Sequence, residues 1–298
     1  MTRHHRPLTA AAILATVMLT GGATCNRRVA SPFPPPPPVA ISAAPTLPEI
    51  TTAINRSQNV RELSCNNAAI EITSMPSLPK LSATMHARRD RDLRLRAKVP
   101  LVLGSGIDIG SNRDQFWFEV PEGVRKVMYH ARHDQYAATP ARQILPVDPT
   151  WFIDAIGLTE IDPATVIAGP LRRSDGAIEI HTTMPDQPGL RIAYIDPAAG
   201  YVTDQFIYDG QNRLIARSTA SEAVYYPTGD SGVVLPHQVE LALAPESGPP
   251  LTMTIKVGSY SVNQLLSGEQ DLFDMPASSN AINLAAFSPP TSHYQIKR

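Results

Sequence analysis

The sequence predicts a mainly β fold of the α+β class, in which a curved antiparallel sheet wraps around a few short helices. Apolar and polar residues alternate in short runs between residues 81 and 257, which is the period of a half-buried strand. Turn signals separate these runs at hairpin distances. The apolar face of one predicted helix has only the concave side of this sheet to cover it, so we expect helices in the hollow of the sheet.

The predicted strands follow one another as an antiparallel meander. Their apolar positions are Leu81, Ala83, Met85 and Ala87; Leu93, Leu95, Ala97 and Val99; Phe116, Phe118 and Val120; Ile178 and Ile180; Leu190, Ile192 and Tyr194; Leu214 and Ala216; Val239, Leu241 and Leu243; and Met253, Ile255 and Val257. Turns are predicted at residues 175–176, 196–200, 209–210 and 246–250, where Asp, Gly and Pro cluster.

Two segments predict helices. The first begins at Pro48, a residue that suits the start of a helix, and places Ile50, Ala53 and Ile54 at helical spacing. The second covers residues 149–157, with Asp148 as a cap and a closing glycine. In this second helix Trp151, Phe152 and Ile156 share one apolar face.

The first 24 residues predict a secretory signal peptide. Arg3 and Arg6 form a basic start, and residues 8–19 carry no charge. A spanning helix needs about 20 apolar residues, and Thr20 and two glycines interrupt this run first. We therefore expect a cleaved segment rather than a permanent anchor.

Cys25 follows the sequence LTGGAT and resembles the lipidated cysteine in the lipobox of bacterial lipoproteins. The resemblance implies lipid attachment at Cys25. Two alternatives remain open. Signal peptidase could cut after Ala23 and leave Cys25 as a plain thiol, or Cys25 could pair with Cys65, the second cysteine of the sequence, in an oxidising compartment.

Composition divides the rest of the chain. Residues 25–47 are rich in proline and predict a tether, residues 48–276 carry the strand patterns of one β domain, and residues 277–298 are predicted to form a C-terminal tail. The formal net charge is −1, and no basic run is interleaved with aromatic residues, which argues against a nucleic-acid partner.

Short matches to catalytic motifs do not predict an enzyme. Residues 229–232 read GDSG, but no histidine has the setting that a serine protease needs, so a turn is predicted. Ser77 and Lys80 have S-x-x-K spacing, but Pro79 prevents the helical turn that would bring them together. The closely spaced His130 and His133 have no ligand cluster around them. We expect no catalytic residue, no metal and no cofactor.

Residues 86–98 form a basic stretch, HARRDRDLRLRAK. Its arginines alternate with Leu93, Leu95 and Ala97, which predicts a solvated face of a strand. The alternative is a patch that is attracted to anionic head groups.

The order of these signals resembles the LolA/LolB-like family of bacterial lipoprotein carriers and related lipoproteins. The segments that carry the resemblance are DIGSNRDQFWF at residues 108–118, GLRIAYIDPAAGYVTDQFIYDGQNRLIA at residues 189–216 and FDMP at residues 273–276. The resemblance implies a half-open antiparallel β-barrel around short helices, with an apolar cavity. It also implies an exported envelope protein, anchored through Cys25 to a membrane, most simply the periplasmic side of the outer membrane.

The resemblance implies binding or transfer of a hydrophobic ligand, either a lipid or the acyl chains of another lipoprotein. Phe116 and Phe118 on one strand, and Trp151 and Phe152 on the covering helix, are the candidate ligand-lining residues, and all of them could equally be ordinary core. The alternative from a different class is a surface-anchored structural or interaction lipoprotein with a filled core. A periplasmic hydrolase is a third hypothesis, and it would require a polar pocket with a His or acidic dyad.

Overall fold

One continuous β-sheet organises the part of the chain that the computed structural model describes. The described residues are 41–286, except for residues 43, 90, 100–105, 123–124, 137–138, 144, 185–187, 229–230, 247 and 265–270. The predicted signal segment, Cys25 and most of the predicted tether therefore lie outside the described residues. Ile41 and Leu47, at the end of that tether, pack against the core of the domain.

The sheet is long, curved and open, and it does not close into a barrel. Its strands are β1 (Glu62–Glu71), β2 (Leu81–Arg88), β3 (Leu93–Lys98), β4 (Gly106–Ser111), β5 (Gln115–Glu122), β6 (Arg125–Arg132), β7 (Val166–Arg172), β8 (Ile178–Thr183), β9 (Gly189–Asp196), β10 (Tyr201–Asp209), β11 (Leu214–Thr228), β12 (Ser231–Leu243), β13 (Leu251–Val257), β14 (Ser261–Val262) and β15 (Ala281–Asn283). Their order is β15-β6-β5-β4-β3-β2-β1-β13-β12-β11-β10-β9-β8-β7, and β14 pairs with β1. The predicted fold class, a curved antiparallel sheet with few short helices, is confirmed.

The predicted turns all lie between consecutive strands. At residues 209–213, the side chain of Asp209 accepts hydrogen bonds from the backbone N–H groups of Gln211 and Arg213, at 2.8 and 2.9 Å. Asp196 does the same for Ala198 and Ala199 in the β9–β10 turn. These aspartates accept hydrogen bonds from turn N–H groups that have no partner strand at the end of a hairpin. Aspartate therefore marks these turns in the sequence.

The helices are shorter than the strands and lie beside the sheet. Helix α1 (Leu47–Ile54) begins with a capping box in which Thr46 and Glu49 satisfy each other's backbone N–H groups, and a 3₁₀ turn (Asn55–Asn59) follows. Helix α2 (His133–Tyr136) is a single turn after β6. Helix α3 (Trp151–Ile153) continues into a π-helical turn (Asp154–Leu158) that includes Gly157, whose φ is 100°. Further 3₁₀ turns lie at Pro140–Gln143, Pro163–Thr165 and Leu284–Ala286.

The main core joins α1 to one half of the sheet. Its buried members are Ile50, Ile54, Ile161, Ile178, Ile180, Ala193, Ile195 and Val202, which come from α1, the segment after α3 and strands β8 to β10. The predicted spacing of Ile50, Ala53 and Ile54 is therefore the spacing of the buried face of α1. This packing places α1 against the sheet, as the covering argument predicts.

Strand β5 is buried on both faces, which the alternation of apolar residues does not predict. Phe116 and Trp117 point to opposite faces of the sheet, and both are 0% exposed. Gly110 on β4 lies directly opposite Trp117. A Cβ at Gly110 would stand 2.1 Å from the indole ring, so only glycine leaves room for this tryptophan. Gly110, the glycine of the DIGSN segment, thus allows the Trp117 ring to pack against β4.

Arg94 on β3 explains why this outer face of the sheet is buried. Its guanidinium pairs with Asp108 at 2.6 Å, donates to the backbone oxygens of Asp274 and Leu272 at 2.8 and 3.4 Å, and lies 5.2 Å from the centre of the Trp117 ring. The prediction of a solvated arginine face is wrong at Arg94, which is 3% exposed. The reason is that the segment near residues 271–276 folds back over β3 and β5.

Part of the predicted C-terminal tail belongs to the sheet. Strand β15 pairs in parallel with β6, with Ile282 opposite Tyr129, and Leu284 is buried in a cluster with Phe116 and Ala131. The rest of that tail, from residue 287, lies outside the described residues.

Among the described residues, no helix is both long enough and apolar enough to cross a membrane.

Candidate functional site

An open cleft of about 890 Å³ lies where α2, α3 and the turns between strands meet. Its apolar lining consists of Tyr136, Val147, Trp151, Ile153, Leu158, Met184 and Ile207. Its polar lining includes the arginines 88, 89, 91, 113, 132, 142 and 191 and the carboxylates of residues 114, 134, 148, 154, 160 and 162. The lining of this cleft is therefore mixed rather than purely apolar.

Trp151 forms part of the apolar wall of this cleft. It is half-buried and packs on a cluster of buried residues that includes Val147, Ile207 and Ala216. Its indole Nε1 is shielded from solvent and has no hydrogen-bond partner among the described residues. A buried indole N–H usually finds an acceptor, so this wall offers one unused donor beside apolar surface.

The other three predicted lining residues do not line this cleft. Phe116 is fully buried in the cluster of Ala131, Tyr136, Ala141 and Leu284, with its ring edge-on to that of Tyr136 at 4.9 Å. Phe118 is half-buried and stacks on Tyr129 at 5.1 Å. Phe152 is half-buried on α3, and Trp151 is the member of the four that lines the cleft. Ordinary core packing accounts for Phe116, whereas Cys25 lies outside the described residues.

A buried polar network, which the sequence did not reveal, forms one side of the cleft. His133 Nδ1 lies 2.7 Å from Asp148 Oδ2, and His133 Nε2 lies 3.0 Å from the backbone oxygen of Asn112 and 3.3 Å from Ser111 Oγ. Burial alone would raise the pKa of Asp148, but hydrogen bonds from His133 and Thr150 lower it below its ordinary value. The network ties the β4–β5 turn to α2 and to the start of α3.

These three side chains have the residue types and the contact distances of a hydrolytic triad, but the serine is enclosed. Ser111 is 0% exposed, so its hydroxyl is not available to a substrate in the cleft. The backbone oxygen of Asn112 lies as close to His133 Nε2 as the Ser111 hydroxyl does, so the two oxygens share one face of the ring. The arrangement therefore braces the wall of the cleft.

Ion pairs join α3 to both halves of the sheet across the cleft. Arg191 on β9 donates to Asp154 at 2.9 Å and to the backbone oxygen of Glu160 at 3.0 Å. Arg89, after β2, donates to the side chain of Glu160 and to Ser57, both at 3.3 Å. Burial raises the pKa of Asp154, although Arg191 acts in the opposite direction. These pairs hold α3 and the segment after it over the hollow.

The remaining motifs lie apart from the cleft. Ser77 and Lys80 are exposed in the β1–β2 connection. Thr228 pairs with Ser231 across the β11–β12 hairpin, so the GDSG sequence occurs at a hairpin turn, with residues 229–230 outside the described residues. Cys65 is a free, buried thiol. The described part of the chain contains no group of three or more His, Cys, Asp or Glu side chains placed to hold a metal.

Comparisons with known proteins find likeness in fold. No protein-family model and no curated protein sequence matches the chain. An outer membrane lipoprotein-sorting protein domain from Vibrio parahaemolyticus and a DUF1329 family protein from Desulfovibrio piger are each 10% identical to it, with a TM-score of 0.49, over 76% of this chain and 95% of theirs. A LolA superfamily protein from Nitrosomonas europaea is 10% identical, with a TM-score of 0.43, over 76% of this chain and 97% of its own.

The last of these structures is of a LolA superfamily protein, and the sequence resembles the LolA/LolB-like family. At 10% identity the likeness concerns the fold alone. The residues of the cleft therefore have to support any function by themselves.

Proposed function

We propose that this protein binds a hydrophobic ligand, a lipid or the acyl chains of a lipoprotein, in the cleft beside Trp151, and holds or transfers that ligand within the cell envelope. The observation that carries the proposal is the open cleft of about 890 Å³ between α3 and the sheet. The proposal includes no catalytic step.

The physical basis is the removal of acyl surface from water. Burial of apolar surface contributes about 25 cal/mol per Å², and the wall formed by Val147, Trp151, Ile153 and Ile207 offers apolar surface for this purpose. Cavities that bind small molecules typically measure about 300–1,000 Å³, and this cleft falls within that range. Since the sheet is open, a ligand can leave without passing through a closed barrel.

We further propose that the mature chain is exported and carries a lipid on Cys25, so that the predicted tether separates the domain from the membrane. The support is the sequence alone, namely the charge-free run at residues 8–19 and the small residues before Cys25. Intact-mass measurement of protein purified from its own membrane tests this part. Lipidation adds the mass of the acyl chains to a chain that begins at Cys25, and a chain that begins at Thr24 without added mass would contradict it.

Ligand binding is tested by native mass spectrometry and lipid extraction, together with tryptophan fluorescence. The sequence contains two tryptophans, Trp117 and Trp151. We expect an added monoacylglycerol to change the emission of the wild type and of Trp117→Phe, but not that of Trp151→Phe. An unchanged emission in the wild type, together with no lipid in the extract, would refute the proposal.

Two neighbouring residues on α3 provide a matched pair of variants. Ile153 lines the cleft and Phe152 does not, although both are half-buried. Ile153→Asn places an amide against the ligand, so we expect a weaker affinity for monoacylglycerol. Phe152→Asn changes the same helix turn and should leave that affinity close to the wild-type value. Equal effects of both substitutions would argue that the ligand binds elsewhere.

A further inference from the structure

Arg88, the last residue of β2, has a guanidinium group that is held in one orientation. Its Nε donates a hydrogen bond to Oε1 of Glu62 on the neighbouring strand at 3.0 Å. Its guanidinium carbon lies 4.8 Å from the centre of the Phe273 ring, so the cation also packs on an aromatic face. One hydrogen bond and one stacked face together fix the plane of the group.

The outer end of this guanidinium is available to a ligand. Among the described residues, the bond from Nε to Glu62 is the hydrogen bond that the Arg88 side chain makes, so both Nη atoms keep their N–H groups unused. The side chain is 39% exposed, which leaves these donors accessible. Two parallel N–H groups in one plane match the two oxygens of a phosphate or a carboxylate.

Arg88 stands where two clefts meet. It lines the cleft beside Trp151 and also a second cleft of about 650 Å³. Arg89, from the same turn, and Arg113, from the β4–β5 turn, line both clefts as well, together with Asp114. Three arginines and one carboxylate therefore share the boundary, so this end of the cleft carries an excess of positive charge.

We propose that Arg88, with Arg89 and Arg113 beside it, binds the oxyanion of an amphiphilic ligand, a phosphate or carboxylate head group whose chain lies in the cleft toward Trp151. The inference rests on the proposed function, because it assigns the polar end of the ligand that the apolar wall would hold. Carboxylates also line the second cleft, at Glu62, Asp92 and Asp274. Their repulsion favours a head group with one negative charge over one with two.

The experiment compares two probes that share one acyl chain, lysophosphatidylglycerol and the neutral monoacylglycerol, each below its critical micelle concentration. We expect the wild type to bind the phosphate-bearing probe about tenfold more tightly, since hydrogen bonds to charged groups are among the stronger ones. Arg88→Gln should remove most of this preference, measured as the ratio of the two affinities. Added salt should reduce the preference in the wild type.

Arg217 provides the matched control. It pairs with Asp204 at 3.2 Å and lies 5.2 Å from the centre of the Phe206 ring, so it makes the same two kinds of contact, away from both clefts. Arg217→Gln should keep the preference for the phosphate-bearing probe. Loss of the preference in this control would indicate a general effect of charge and would overturn the assignment to Arg88.

The outcomes separate the two proposals. Failure of both probes to bind refutes the proposed function. Equal binding of both probes leaves the proposed function standing and refutes the oxyanion site. A third arm uses inorganic phosphate, which should compete with lysophosphatidylglycerol and not with monoacylglycerol. Phosphate that binds at Arg88 without displacing lysophosphatidylglycerol would show a free anion as the occupant and would overturn the head-group assignment.

Discussion

Replacement of Arg94 by methionine tests how the C-terminal segment is held on the sheet. The substitution removes an ion pair with Asp108, a hydrogen bond to the backbone oxygen of Asp274 and a contact with the Trp117 ring, while methionine keeps an unbranched apolar side chain in the same space. Breaking a buried ion pair by removal of one partner costs about 3–5 kcal/mol. Asp108 is 19% exposed and Arg96 lies 3.8 Å away, so the remaining carboxylate is partly compensated. We therefore expect a loss of about 3 kcal/mol in the free energy of unfolding.

Urea unfolding, followed by circular dichroism, measures this loss. Arg96→Met is the control, because Arg96 faces the same carboxylate from a side chain that is 37% exposed, and exposed pairs contribute about 0–1 kcal/mol. Hydrogen exchange should show faster exchange near Asp274 in Arg94→Met and an unchanged rate there in Arg96→Met. Equal stability of the two variants, within about 0.5 kcal/mol, would refute the view that Arg94 holds this segment.

Three further predictions concern packing, pH and a thiol. Gly110→Ala should lower the free energy of unfolding by about 1–3 kcal/mol, because the new methyl group displaces the buried Trp117 ring; a urea midpoint equal to that of the wild type would contradict this. The pKa of Asp148 is lowered from its ordinary 3.8, so the ionised carboxylate contributes its full stabilisation above pH 3.8, and this is lost as the pH falls through the lower pKa of the folded state. Asp148→Asn should therefore flatten the acid side of a plot of urea midpoint against pH. An unchanged slope would exclude the His133 pairing. Burial raises the pKa of the Cys65 thiol, so iodoacetamide should modify it slowly in the native protein and quickly in denaturant, as followed by mass; rapid native modification would show that the strand opens.

The sheet could be predicted from the sequence because its signals are local. Alternation in β2, as at Leu81, Ala83 and Met85, depends only on neighbouring residues, and the aspartate turns at Asp196 and Asp209 do as well. The signals that failed depend on distant contacts. Trp117 is buried on the face that alternation assigns to solvent, where the Arg94 guanidinium lies over its ring and bonds the backbone of Leu272 and Asp274. No local pattern contains that information.

The candidate site was only partly predictable for the same reason. The sequence places Trp151 on the apolar face of a short helix, and in the structure this residue lines the cleft. The polar half of the lining could not be identified. In the sequence, Arg88 is one of several residues in a basic stretch. Its contacts with Glu62 and Phe273 join three distant parts of the chain, so no local pattern indicates them. The contact of His133 with Asp148 likewise depends on how the chain folds back between α2 and α3.

The place of β1 in the sheet has a consequence for the synthesis of the chain. Strands β2 to β6, and β7 to β13, each pair with their neighbours in the sequence, but β1 completes its ladder with β13, where Ala68 stands opposite Val257. While the ribosome adds the intervening residues, one edge of β1 has no strand beside it, and such an edge is a template for pairing with other chains. Nascent or truncated chains that end before β13 therefore expose this edge in the middle of what becomes the sheet. The edge of β1 is therefore covered only after β13 has been synthesised.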